Sequence, residues 1–296
     1  MDEFLQFLFS GLTRGSIYAL VGIGFAMIYN ASHVINFAQG EFVMLGGMVT
    51  VYLALTAGIM PVVVAIPVAI AVTALVGLGL QKFAIEPAQS RPGGASVVTI
   101  IIITIGASIF VRGVVEVSLG KRDFVLPSFS GNEPIDVFGA TLTPQSLWIF
   151  GVLAVVVTAL KWFFDRTRLG KAMLATSHNR LAAQLVGIDV RTTLLVSFGV
   201  AAALGALAGV LTAPITLTRY DVGIMLGLKG FAAAILGGIG NPFGAVAGGL
   251  TLGIAEAMAG GYVSSAYQDA VAFVIILAVL FFRPTGLFGG PGVERV

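Results

Sequence analysis

The constraint that dominates this chain is a set of eight apolar runs, near residues 11–29, 41–58, 61–81, 96–117, 145–164, 192–214, 242–260 and 266–282. A bilayer hydrocarbon core about 30 Å thick needs roughly 20 apolar residues of helix to cross it, and each run is about that long. A ninth apolar piece, 227–237, is too short; at about 1.5 Å per residue it reaches only halfway, and it reads as a re-entrant half-helix. With 57% hydrophobic and 10% charged residues, the chain lies far from a globular composition, in which charge is about 25%. It is therefore expected to be all-α and polytopic, with about eight transmembrane helices plus the half-helix. The 39 glycines let helix backbones approach closely where lipid gives no hydrophobic drive for association.

Orientation follows from one basic island, 165–191. Lys161, Arg166, Arg168, Lys171, Arg180 and Arg191 lie in it or at its edge, against Asp165 and Asp189. The positive-inside bias places this island in the cytoplasm. Counting spans outward from it puts the 118–144 loop outside, the 82–95 loop with Lys82 and Arg91 inside, the N-terminus outside, and the C-terminus with Arg283 and Arg295 inside. The 118–144 loop is rich in Gly, Pro, Ser and Asn and should form ordered turns or short strands. The start of the chain lacks the basic region and cleavage site of a signal peptide and reads as retained. No soluble domain stands apart, so residues 1–296 read as one membrane domain. A net charge of +2 does not suggest nucleic-acid binding, and the absence of Cys excludes thiol catalysis and cysteine-ligated metals.

Several stretches carry a resemblance. The island segment LGKAMLATSHNRLAAQLVGID is similar to the cytoplasmic coupling loop of ABC-importer permeases. GSIYALVGIGFAMIYN (15–30), VINFAQGEFVMLGG (34–47) and GLKGFAAAILGGIGNPFGAVAGGLTLGIAEA (227–257) narrow it further. Together they resemble the LivH-type permease subunits of high-affinity branched-chain amino-acid importers, over about residues 11–286. The resemblance implies a type II-like permease in a bacterial inner membrane that moves Leu, Ile or Val inward. It also implies a second permease subunit, LivM-like, two ATPase subunits carrying ATP and Mg, and a periplasmic binding protein. Related permeases move urea or short amides. No GxxxxGK[ST] occurs, so ATP phosphates are not cradled here in a P-loop; no cofactor and no catalytic residue is expected in this chain.

In the resemblance, Gly170, Ala172, Ala175, Asn179, Ala182, Gly187 and Ile188 belong to the loop that docks the ATPase. We expect a helix from about Lys171 to Leu185, with Ala172, Ala175, Ala182 and Leu185 outward; the plainer reading is a basic loop that only sets topology. Asn36, Phe37, Gln39 and Glu41 form a polar cluster entering a span, either lining the translocation path or capping and charging a helix start. Lys229, opening the half-helix, and Glu256 could be a buried pair beside the path or a structural ion pair. Gly237, Gly238 and Gly240, with Pro242, break two apolar helices, either as a cavity lining or as a tight turn. Gly248, Gly249 and Gly253 read as a packing face. Arg112 and Glu116, spaced i and i+4, are expected to pair on one helix face, and Arg14 departs from the small or apolar residue usual in this family. Tyr18, Tyr29, Trp148 and Trp162 read as interface anchors or packing residues. A secondary transporter would need grouped carboxylates, yet Glu41, Glu256 and Asp269 are scattered in sequence. An enzyme would need partners for His33 and His178 that the spacing does not supply.

Overall fold

The computed structural model describes residues 2–90, 95–131, 133–137, 139–283 and 285–288. Its helices are α1 (Asp2–Ser32), α2 (Gln39–Val51), α3 (Val62–Gly79), α4 (Glu86–Gln89), α5 (Val97–Leu119), α6 (Pro144–Arg166), α7 (Arg168–His178), α8 (Arg180–Leu185), α9 (Val190–Thr212), α10 (Val222–Gly237), α11 (Pro242–Tyr262) and α12 (Gln268–Phe282). Among the described residues seven helices are long and apolar enough to cross a membrane, counting α3 with α4 as one and α12 with the preceding 3-10 turn. The remaining expected span, 41–58, is α2 continued by a π-helical turn, Tyr52–Thr56. Strands β1 (Ile135–Val137) and β2 (Ala140–Leu142) pair antiparallel in the 118–144 loop, with Asp136 opposite Thr141. Arg91 and Arg295 lie outside the described residues.

The two ends of the bundle are distinct. The hairpin end carries β1 and β2, tied to the first turns of α1 because the Thr141 N–H donates to Gln6 Oε1 at 2.7 Å. The basic end carries α7 and α8. Local sequence sets where helices start: Ser96, Thr167, Asn179, Asp189 and Asn241 each accept a backbone N–H from the first turn they precede. Pro144 and Pro242 occupy first-turn positions, where a missing N–H costs nothing.

Small residues decide which helices are central. A Cβ added at Gly15 would lie 2.7 Å from Gly249 O, and one at Gly11 would lie 2.7 Å from Ile254 Cα, so α1 and α11 touch backbone to backbone. Gly209 on α9 abuts the Val43 carbonyl of α2, and Gly248 abuts the Ala233 carbonyl of α10. Gly248 thus faces α10, whereas Gly249 and Gly253 face α1; the expected packing face is two adjacent faces. The result is a core of α1, α2, α9, α10 and α11. The most apolar window of α1 is 89% buried, against 17% for α5 and 6% for the α12 span, so α5 and α12 lie at the periphery.

Two stretches of non-helical backbone lie within the bundle. Residues 33–38 enter from the basic end: the Phe37 N–H donates to Thr104 Oγ1 at 3.2 Å, and Thr104 lies seven residues into α5, about 10 Å from its start. Residues 213–221 enter from the hairpin end and bring Thr218 against Gly47, nine residues, or about 13 Å, below the end of the π turn at Thr56. Each segment follows a long helix and leads into a short one, in opposite directions through the bundle. The short helices, α2 and α10, meet at their second residues, Gly40 and Gly223, where a Cβ on either would collide with the other's carbonyl oxygen. α10 begins five residues before the apolar run 227–237, so Lys229 sits in its interior instead of opening it.

Gly40→Val or Gly223→Val should therefore overpack this crossing, at about 1–3 kcal/mol or more, and lower the yield of monodisperse protein in detergent. Gly113→Val, at a position with open space beside it, should leave the elution profile unchanged.

Candidate functional site

A cavity of about 560 Å³ is lined by the 213–221 segment, the first half of α10, and parts of α1, α11 and α12. Its wall holds a series of ion pairs built on two buried charges, Lys229 and Glu256. Lys229 Nζ donates to Glu256 Oε1 at 2.7 Å and lies 2.7 Å from Asp269 Oδ1. The same ammonium donates to Tyr18 Oη at 3.2 Å, and Arg14 Nη1 lies 3.8 Å from Glu256 Oε1. Lys229 and Glu256 are therefore the expected pair, and Asp269, Arg14 and Tyr18 extend it. Arg14 and Tyr18 stand at i and i+4 on α1, a spacing that puts both on one face. Tyr18 is buried and is no interface anchor, whereas Trp148 and Trp162 are exposed on α6. Tyr29 stacks edge-on against His33.

The other path residues lie elsewhere. Asn36 does not cap α2; its Oδ1 accepts from the Ala38 N–H at 3.1 Å, and Ala38 is the cap residue, without a side-chain bond. Gln39 is fully buried and donates to the Ala201 carbonyl at 2.9 Å. Phe37 packs on Phe231. Glu41, in the first turn of α2, accepts from Ser108 Oγ at 2.8 Å and from Arg112, whose Nε lies at 3.2 Å. Arg112 thus pairs across helices with Glu41, and Glu116 pairs with Lys121 at 2.8 Å. The expected Arg112 to Glu116 pair does not form; a buried carboxylate on α2 lies within reach of the guanidinium, and the half-buried Glu116 is taken by Lys121. This cluster anchors the peripheral helix α5.

The break at 237–242 lies at the basic end and lines no part of the cavity. Gly238 and Gly240 adopt φ of 104° and 91°, and the Leu287 and Phe288 N–H groups donate to the Leu236 and Gly237 carbonyls at 2.8 and 3.2 Å. Positive φ is nearly free only for glycine, so these residues reverse the chain between α10 and α11.

In the basic island one helix was expected from Lys171 to Leu185; two form. Asn179, at φ −153°, ends α7 and caps α8 by accepting from the Ala182 N–H at 3.0 Å. Gly187, at φ 86°, and Ile188 then close α8, their N–H groups donating to the Gln184 and Ala183 carbonyls. That is the paired bonding of a Schellman stop, which gives the Gly-Ile pair its physical role. Ala175, Ala182 and Leu185 are exposed, Ala172 is half-buried, and Gly170 is buried against the Phe163 carbonyl. Leu181, Leu185 and Val186 add an apolar outward surface. The Thr192 hydroxyl, with the Arg191 N–H, holds the Asp189 carboxyl below its usual range, which keeps the α9 cap charged.

Lys229→Met should leave Glu256 buried without its main cation and destabilise the protein by about 3–5 kcal/mol. Asp269→Asn, at a half-exposed carboxylate, should cost about 1 kcal/mol or less. Thermal unfolding in detergent separates the two.

Residues 7–280 match the family described as "Branched-chain amino acid transport system / permease component". The chain is 36% identical to the high-affinity branched-chain amino acid transport system permease protein LivH of Escherichia coli K12, across 99% of this chain and 98% of that protein. It is 35% identical to the corresponding protein BraD of Pseudomonas aeruginosa, with the same coverage. A solved structure, "PsaBC from Streptococcus pneumoniae in complex with Fab", shares the fold at a TM-score of 0.53 and 15% identity, covering 96% of this chain and 93% of that one. Helices that span a membrane, an irregular segment along a charged cavity and a family match over residues 7–280 converge: the chain belongs to the branched-chain amino acid transport system permease family.

Proposed function

We propose that this chain is one permease subunit of an ABC importer that carries branched-chain amino acids inward across a bacterial inner membrane. The observation that carries the reading is the match with LivH over 99% of this chain and 98% of that protein. In this reading a second, LivM-like permease completes the pathway, a periplasmic binding protein delivers substrate to the hairpin end, and two ATPase subunits dock on α7 and α8. The basic end is then cytoplasmic, with the N-terminus outside and the C-terminus inside, in line with the positive-inside rule. ATP and Mg belong to the ATPase subunits.

The geometry supports a division of labour. The cavity lies against the 213–221 segment, and the outward surface of Ala175, Leu181, Ala182 and Leu185 lies at the other end, joined to it through the long helix α9. Movement of α7 and α8 against α9 would be felt where α9 gives way to the cavity wall.

Cells deleted for this chain should lose uptake of labelled leucine, isoleucine and valine at submicromolar concentration, and regain it on complementation. Retained uptake, or loss of urea or amide uptake instead, overturns the substrate assignment; leucine transport by the purified chain without an ATPase points to ion coupling. Ala175→Trp should leave membrane insertion intact and lower ATP-driven leucine uptake about tenfold or more, a loss of roughly 1.4 kcal/mol of coupling. Gly170→Leu should instead reduce the amount of folded protein, because its side chain would meet the Phe163 carbonyl.

A further inference from the structure

Four charged side chains follow one another along the cavity wall with alternating sign: Arg14, Glu256, Lys229, Asp269. The two inner members are nearly inaccessible, at 2% and 8% side-chain exposure, while the two ends are open, Arg14 at 43% and Asp269 at 54%. A closed pair of ions presents no net sign to a ligand. An open series of four ends on opposite signs, and its ends present a half-exposed guanidinium and a half-exposed carboxylate to the same cavity. Glu256 Oε2 is buried without a hydrogen-bond partner, so the inner pair also retains an unused acceptor. Ile17, Met225 and Leu226 supply an apolar wall.

We propose that this cavity binds a zwitterion: an α-amino acid whose carboxylate meets Arg14, whose ammonium meets Asp269, and whose apolar side chain lies against Ile17, Met225 and Leu226. The bound ligand closes the open series into a ring of six alternating charges. Lys229 and Glu256, fixed by Tyr18, are positioning residues that hold the two recognition ends in place. The four charges of the series sum to zero, so the series discriminates by charge separation; Arg219, paired with Asp221, and Asp123 line the same cavity outside it. A cation or an anion alone satisfies one end of the series only. The inference rests on reading the chain as an amino-acid permease. A phosphatidylethanolamine headgroup offers the same two charges, and the test separates the two sources.

The full chain in phosphatidylglycerol nanodiscs is titrated with L-leucine, isocaproate, isoamylamine and glycerophosphoethanolamine, with binding read by saturation-transfer NMR. Leucine should bind at least about tenfold more tightly than either singly charged analogue, the order expected for loss of one charge-assisted contact. Arg14→Gln should weaken leucine binding about tenfold and leave isoamylamine unaffected. Asp269→Asn should weaken leucine and leave isocaproate unaffected, and Arg14→Lys should restore part of the loss. Leucine binding unchanged in both Arg14→Gln and Asp269→Asn, equal binding of leucine and its analogues, or binding of glycerophosphoethanolamine without leucine overturns the proposal. Leucine uptake by the complete transporter in proteoliposomes judges the wider reading separately. Uptake with variant-insensitive binding removes the site and keeps the transporter; absence of uptake removes the transporter reading, while the titration still decides whether the cavity takes a zwitterion.

Discussion

Backbone polar groups at membrane depth must find partners inside the protein, because hydrocarbon supplies none. The arrangement of this bundle follows from that requirement. The segments 33–38 and 213–221 leave helical geometry inside the bundle, and each is held where its N–H and C=O groups are taken up. Phe37 donates to Thr104, the Asn36 side chain accepts from Ala38, and Thr218 exchanges backbone bonds with Phe124. Such segments are tolerated only when buried in protein or lining a cavity. Here one is packed beneath Phe231 and the other lines the charged cavity. The meeting of Gly40 and Gly223 lets the two short helices that follow approach closely enough for this.

Charge placement obeys the same economy. Intramembrane ions are costly when alone and are expected to pair or face a wet cavity. Glu41 Oε1 accepts from Ser108 and Arg112 and fastens a peripheral helix, while its Oε2, like that of Glu256, is buried without a hydrogen-bond partner. Glu256 shares Lys229 and Arg14 in the cavity wall. The two clusters differ in what remains open. Glu41 and Arg112 close on each other, whereas the series from Arg14 to Asp269 leaves both ends exposed to the cavity. That difference is why the proposed recognition site is built on the second cluster and not on the first.

At the basic end, the pattern of small residues around the Gly-Ile pair resolves into two kinds of function. Asn179 and Gly187 are capping devices that divide and stop short helices, and Gly170 is a contact point beneath Phe163. Ala175, Ala182 and the exposed leucines form the outward surface. A motif read as one docking surface is therefore partly an instruction for local backbone shape.

The spans, the short strands in the 118–144 loop and, as one of the readings open, the pairing of Lys229 with Glu256 were legible in the sequence, because length and polarity act locally or through a scarcity of buried charge. The family was legible through local motifs as well. Other features were not. The partner of Arg112 is Glu41 on another helix, not Glu116 four residues away, and i, i+4 spacing carries no information about a neighbour 71 residues distant. Asp269 and Tyr18 join Lys229 only because α12 and α1 flank α10, and the break at Gly238 lies at the basic end only because Leu287 and Phe288 return there. The sequence by itself determined that this chain crosses a membrane many times and which few charges it can hold there, since hydrocarbon sets that cost residue by residue. The tertiary structure alone decided which charges meet and which irregular segment lines a cavity, since both depend on how glycine-bearing helices cross.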